Sequence, residues 1–126
     1  MVEVAAGVVR DERGRVLICR RTGELAGLWE FPGGKREAGE SFEECLTREL
    51  MEELNLPVTP VRVLHEMEYH GAGKALRFAF VLATASSRAE LALRVHAAAV
   101  WAEPAELAGY AFCPADAEYL RRYRLE

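Results

Sequence analysis

Small apolar residues run together from Val2 to Val9 (Val4, Ala5, Ala6, Gly7, Val8, Val9), a pattern suited to a buried strand. Asp11-Glu12-Arg13-Gly14 then reads as a hairpin turn closed by glycine, with Val16 to Cys19 as the partner strand. The spacing changes after Ser41. From Phe42 to Leu54 there is no Gly or Pro, and Leu46, Leu50 and Leu54 recur at every fourth position, which predicts a helix burying one apolar stripe. Ser41 with Glu44 forms a capping box at its start, and Asn55 followed by Pro57 ends it. Val58 to Tyr69 and Leu76 to Ala83 are predicted strands joined around His70-Gly71-Ala72-Gly73-Lys74. The second alternates at Phe78, Phe80 and Leu82 like a half-buried strand.

Ser86 to Val95 is polar and is expected to be a loop with a short strand around Leu91 to Val95. Ala98 to Ala102 is a last strand, and Glu103 to Leu107 a short helix with Pro104 near its start. A C-terminal helix begins at Pro114 and turns Tyr119, Leu120 and Tyr123 inward. Strands bracketed by helices predict a mixed sheet between helical layers, an α/β/α sandwich. At 126 residues the chain is expected to be one domain spanning 1–126.

The chemistry lies beside the leucine stripe. Glu49, Glu52 and Glu53 stand in an i, i+3, i+4 relation, so three carboxylates leave the helix from one face. Exposed, such a cluster is an ordinary solvated surface, destabilised by roughly 0.2–0.5 kcal/mol per pair. Partly buried, it requires cations, and oxygen-only ligands suit Mg²⁺, with Mn²⁺ also suitable, better than zinc. Ahead of the helix, Trp29-Glu30-Phe31-Pro32-Gly33-Gly34-Lys35 reads as a glycine-rich loop whose backbone can approach a metal or phosphate closely. Arg20 and Arg21 leave the second strand beside it and are candidates to grip a phosphate with forked donors.

Gly34, Glu40, Arg48, Glu49, Leu50, Glu52, Glu53 and Leu56 follow the spacing G-x5-E-x7-R-E-U-x-E-E-x-G-U, where U is aliphatic. The segment resembles the Nudix box, and the WEFPGGK run before it is similar to the MutT branch of that family. One position departs, since Asn55 stands where the pattern has glycine; Asn is the next residue best able to take a positive φ. The resemblance implies phosphoanhydride hydrolysis without a covalent intermediate. Glu49, Glu52 and Glu53, with the loop backbone at Gly33, would hold the divalent ion, while Glu40 and Arg48 keep loop and helix in register. Gly33, Gly34, Lys35 and Arg21 would receive the phosphates. Phe31 is either a core aromatic or one wall of a base slot, and the resemblance favours the slot; Phe78 falls where relatives set an apolar residue against the base.

Asp116 would read the edge of the base, as an acceptor if ionised or a donor if burial keeps it protonated. It equally suits the N-cap of the C-terminal helix. Many Nudix enzymes carry a further glutamate before the last strand, whereas Arg94, Val95 and His96 stand there in this chain. Glu90 is the nearest carboxylate.

The resemblance points first to sanitation of oxidised nucleoside triphosphates such as 8-oxo-dGTP, releasing the monophosphate and pyrophosphate. A CTP-directed or general nucleoside triphosphate pyrophosphohydrolase is the nearer alternative, and a non-catalytic nucleotide-binding module the more distant one. A net charge of −4 gives no electrostatic ground for binding a nucleic-acid polymer, so the expected partner is a small nucleotide. No apolar run approaches a membrane span. Cys19, Cys45 and Cys113, odd in number and far apart, fit reduced thiols in a cytoplasmic protein, as a monomer or homodimer.

Overall fold

In the computed structural model, which describes residues 1–125, a seven-stranded mixed sheet lies between two helical layers. Its strands are β1 (Val2–Arg10), β2 (Val16–Arg21), β3 (Trp29–Glu30), β4 (Gly33–Lys35), β5 (Thr59–Gly71), β6 (Lys74–Thr84) and β7 (His96–Ala102). β1 and β6 run parallel along their whole length, from Val2 opposite Leu76 to Arg10 opposite Thr84. The other pairings between these strands are antiparallel, with β2 and β4 on β1, β5 on β6, and β3 and β7 on the two sides of β2. Among the described residues no helix is long and apolar enough to cross a membrane.

The central strands are covered on both faces, which explains why β1 is apolar throughout. Helix α1 (Phe42–Leu54) sets Leu46, Leu50 and Leu54 against Ala5, Val9, Leu17, Cys19, Val81 and Ala83. The other face meets a short 3₁₀ helix (Pro104–Gly109) and helix α2 (Pro114–Arg122), with Tyr119 fully buried against Val8, Ile18 and Phe80. The alternation in β6 therefore sorts residues between two cores. Phe78, Phe80 and Leu82 pack on the α2 side, and Val81 and Ala83 on the α1 side.

Helix α1 has the predicted termini. The Ser41 hydroxyl accepts from the Glu44 N–H at 3.0 Å, and the Glu44 carboxylate accepts from the Ser41 N–H at 2.8 Å. Asn55 takes the left-handed conformation at φ 53°, and its N–H reaches the carbonyls of Leu50 and Met51. The Asn found where the pattern has glycine thus does the same backbone work.

Three local expectations are corrected. Gly33–Lys35 is a strand paired with Val4–Ala6 of β1, because Gly33 has no side chain to hold the two backbones apart. Residues 91–95 form no strand, since their backbone donors turn to helix α1: Ala92 N–H binds the Leu54 carbonyl and Arg94 N–H the Glu53 carbonyl. Asp116 is not the N-cap of α2; Cys113 holds that position with Pro114 at the first helical one.

Candidate active site

The motif glutamates sit where α1 faces β4. Arg48 organises them. Its Nε donates to Glu40 Oε2 at 2.6 Å and its Nη2 to Glu40 Oε1 at 2.9 Å, a forked pair joining the helix to the turn before it. Nη1 donates to Glu49 at 3.0 Å and to Glu52 at 3.2 Å, and Nη2 also reaches the Lys35 carbonyl at 3.1 Å. The hydrogen bond from Arg48 holds the Glu40 carboxyl down at about 2. Glu40 further accepts from the Glu37 N–H at 2.8 Å, fixing the turn.

Gly34 lies directly against Glu49. A Cβ on Gly34 would come within 2.3 Å of the Glu49 carboxyl carbon, and one on Gly33 within 1.8 Å of the Ala5 carbonyl oxygen. The two glycines therefore serve different neighbours, one the sheet and the other the carboxylate. The Lys35 side chain is exposed.

Glu53 is partly buried. Burial, then the nearby charges of Glu49 and Glu30, push its carboxyl up to about 8, and its Oε1 is buried with no partner among the described residues. A buried carboxylate oxygen without a donor destabilises the fold by about 1–3 kcal/mol unless something binds it. Glu52, on the same helix face, is exposed. Among the described residues no three His, Cys, Asp or Glu side chains are gathered at metal-holding distance. Arg48 Nη1 bonds both Glu49 and Glu52. The donor set nevertheless fits a hard divalent ion: three carboxylates, one of them with an oxygen that has no donor, beside a backbone bared by glycine. Holding the ion requires Glu52 to swing from Arg48, a rotation open to an exposed side chain.

Arg21 is already held, with Nη1 on Glu30 at 2.8 Å and Nε on the Glu24 carbonyl at 2.9 Å. Arg20 is exposed and lies over the Trp29 ring at 5.8 Å. Phe31 is 3% exposed and packed among Phe80, Phe112 and Tyr119, with the Phe112 ring stacked on it at 5.5 Å. Phe78 is half-buried and stacked on Phe80. Asp116 Oδ1 accepts from the Phe31 N–H at 3.1 Å, and burial pushes the Asp116 carboxyl up to about 8.

Three residues outside the motif acquire a role from the geometry. Arg94 Nη1 donates to the carbonyls of Met51 and Glu52 at 3.0 Å each, closing a helix end that has no basic residue of its own in its last turn. His96 is buried rather than lying in a surface loop, and its Nε2 meets Glu30 Oε2 at 2.8 Å. A lone His and a lone Glu 66 positions apart give no sequence signal of that pairing. Glu90 is exposed.

A sandwich of this topology with an acidic, arginine-braced helix beside a glycine strand defines a class of phosphoanhydride-handling domains. Residues 1–123 match the NUDIX domain, and the chain belongs to the Nudix hydrolase family. It is 32% identical over 125 residues to a CTP pyrophosphohydrolase from Escherichia coli, covering 98% of this chain and 91% of that one. It is equally 32% identical over 124 residues to an 8-oxo-dGTP diphosphatase from Haemophilus influenzae, covering 97% and 90%. Among solved structures, the Escherichia coli ORF135 protein superposes with a TM-score of 0.75 at 30% identity, over 97% of this chain and 91% of that one. The chain is thus a Nudix pyrophosphohydrolase, a family that works with divalent metal ions on small nucleotides, and the binding-module alternative is set aside.

Proposed function

We propose that the chain hydrolyses oxidised nucleoside triphosphates, 8-oxo-dGTP foremost, to the monophosphate and pyrophosphate with Mg²⁺, Mn²⁺ being able to replace it. The observation that carries the reading is the raised Glu53 carboxyl, its buried Oε1 without a donor, next to Glu49 and the bare Gly34 backbone. Such a group is costly in a structural helix and useful in a metal site.

In this reading Glu49, Glu52, Glu53 and the Gly33 carbonyl would hold the ion, whose chemistry when bound would be neutralisation of the phosphate chain's charge. Arg48 keeps Glu49 aligned and, through Glu40, keeps α1 in register with the turn before it. Arg21 and Lys35 offer donors to the phosphates, and the Gly33–Gly34 backbone lets them come close. One carboxylate orients the attacking water and takes its proton.

For the base, Phe78 presents the accessible aromatic surface and Phe31 backs it from within the core. Asp116, neutral, both donates and accepts like an amide, so it suits a purine edge carrying a ring N–H and an exocyclic group. Support comes also from relatives named 8-oxo-dGTP diphosphatase, among them the Haemophilus influenzae protein.

The CTP-directed reading has its own observation, the equal full-length identity to the Escherichia coli CTP pyrophosphohydrolase. Steady-state kcat/KM on 8-oxo-dGTP, dGTP, CTP and dCTP decides between them. At least about a tenfold preference for 8-oxo-dGTP over dGTP and CTP, roughly 1.4 kcal/mol, is expected. A preference for CTP would overturn the purine assignment and leave the metal site untouched.

A further inference from the structure

A second polar cluster, outside the Nudix motif, faces helix α1 from the sheet. In the ladder Cys19 is opposite Glu30 on one side and Ala99 on the other. Cys19 and Ala99 both pack in the core beneath α1. Residues directly opposite one another share a face, so Glu30 looks toward α1 as well. There it is gripped twice. Arg21 Nη1 donates to Oε1 and His96 Nε2 meets Oε2, each at 2.8 Å. A carboxylate oxygen accepts, so the proton in the second contact is on Nε2.

β2, β3 and β7 thus converge on one carboxylate. His96 opens β7 opposite Arg21, across a bulge between Arg20 and Arg21, a distortion that re-aims side chains. The His96 side chain is 4% exposed, and its Nδ1 has no partner among the described residues. Of the Arg21 donors, Nε is held by the Glu24 carbonyl and Nη1 by Glu30.

An exposed arginine loses side-chain entropy when it binds a phosphate; one already held on two sides loses less. We propose that His96 is a positioning residue of this hydrolase: by fixing Glu30 from the last strand, it sets the direction of the Arg21 guanidinium, whose Nη2 donors then meet the phosphate chain of the nucleotide. The proposal deepens the function given above and rests on it for the identity of the ligand. It gives His96 a task that a space-filling residue beneath the end of α1 would not have.

Two variants separate these roles. His96→Gln retains an N–H donor near the Nε2 position, whereas His96→Leu fills similar volume without one. With 8-oxo-dGTP and Mg²⁺, His96→Leu is expected to raise KM about tenfold while kcat changes by less than about threefold, the scale typical of outer-layer partners in metal enzymes. His96→Gln restores most of the loss. Glu30→Gln gives the same KM rise, and adding it to His96→Leu adds little, because both act through one contact chain.

The Arg21 Nε–H resonance in ¹⁵N-edited NMR spectra gives a readout without turnover. It is expected to be sharp and exchange-protected in the wild type and in His96→Gln, and broadened in His96→Leu. An unchanged KM and Arg21 resonance in His96→Leu would overturn the proposal, as would His96→Gln as impaired as His96→Leu. Should His96→Leu fail to fold, Glu30→Gln carries the same comparison. Should the wild type hydrolyse no nucleoside triphosphate, the function reading fails, while the Arg21 resonance still decides whether His96 orders the arginine.

Discussion

Gly33 and Gly34 are adjacent and look interchangeable, yet a methyl group on each meets a different neighbour. On Gly33 it meets the backbone of β1, which cannot move without breaking the ladder; on Gly34 it meets the far end of the Glu49 side chain. Gly33→Ala is therefore expected to destabilise the fold by about 3 kcal/mol, and Gly34→Ala by less than about 1 kcal/mol. Activity should rank otherwise, because Gly34→Ala displaces a motif carboxylate and is expected to lower kcat/KM about 100-fold in a folded protein. Urea titration beside steady-state rates checks both; equal stability losses would contradict the assignment. At this scale the placement of Glu49, Glu52 and Glu53 together on one helix was legible in the sequence, because their spacing is fixed and local. It was not legible for Glu30 and His96, because a contact between β3 and β7 depends on both pairing with β2.

At the scale of elements, helix α1 could be read from end to end, because stripe, capping box and terminator are all local signals. The same reasoning failed for β4, a three-residue strand whose pairing comes from β1 rather than from its own composition. It failed again at residues 91–95, whose donors serve the end of α1, and at Asp116, which is buried toward Phe31 three positions inside α2 instead of capping it. The helix terminus offers a direct check. Asn55 has φ 53°, so Asn55→Gly is expected to change stability by less than about 0.5 kcal/mol, while the β-branched Asn55→Val is expected to cost about 1–2 kcal/mol. Thermal denaturation of the two variants tests this, and a tolerated valine would show that the left-handed terminus is not required.

Across the whole molecule, two buried acids tie the stability of the metal-free fold to pH. Glu53 and Asp116 both have folded-state values raised to about 8 from ordinary carboxyl values of 4.5 and 3.8. In that window the folded state binds more protons than the unfolded one, so their contribution is fully present below pH 4 and is lost as pH rises through 8. The metal-free protein is therefore expected to lose thermal stability between pH 5 and pH 8.5, less steeply in Asp116→Asn. Added Mg²⁺ should raise the melting temperature more at pH 8 than at pH 5.5, because the ion binds the ionised carboxylates. A melting temperature that climbs steadily over this range would contradict the burial of both acids. Whether Glu53 and its neighbours gather a divalent ion for pyrophosphate release is decided by pyrophosphate formation from 8-oxo-dGTP in Mg²⁺ and in chelator, for wild type and Glu53→Gln. Release is expected only with metal, and at least about 100-fold lower in Glu53→Gln; release that persists in chelator, or is equal in the variant, would rule such a metal site out.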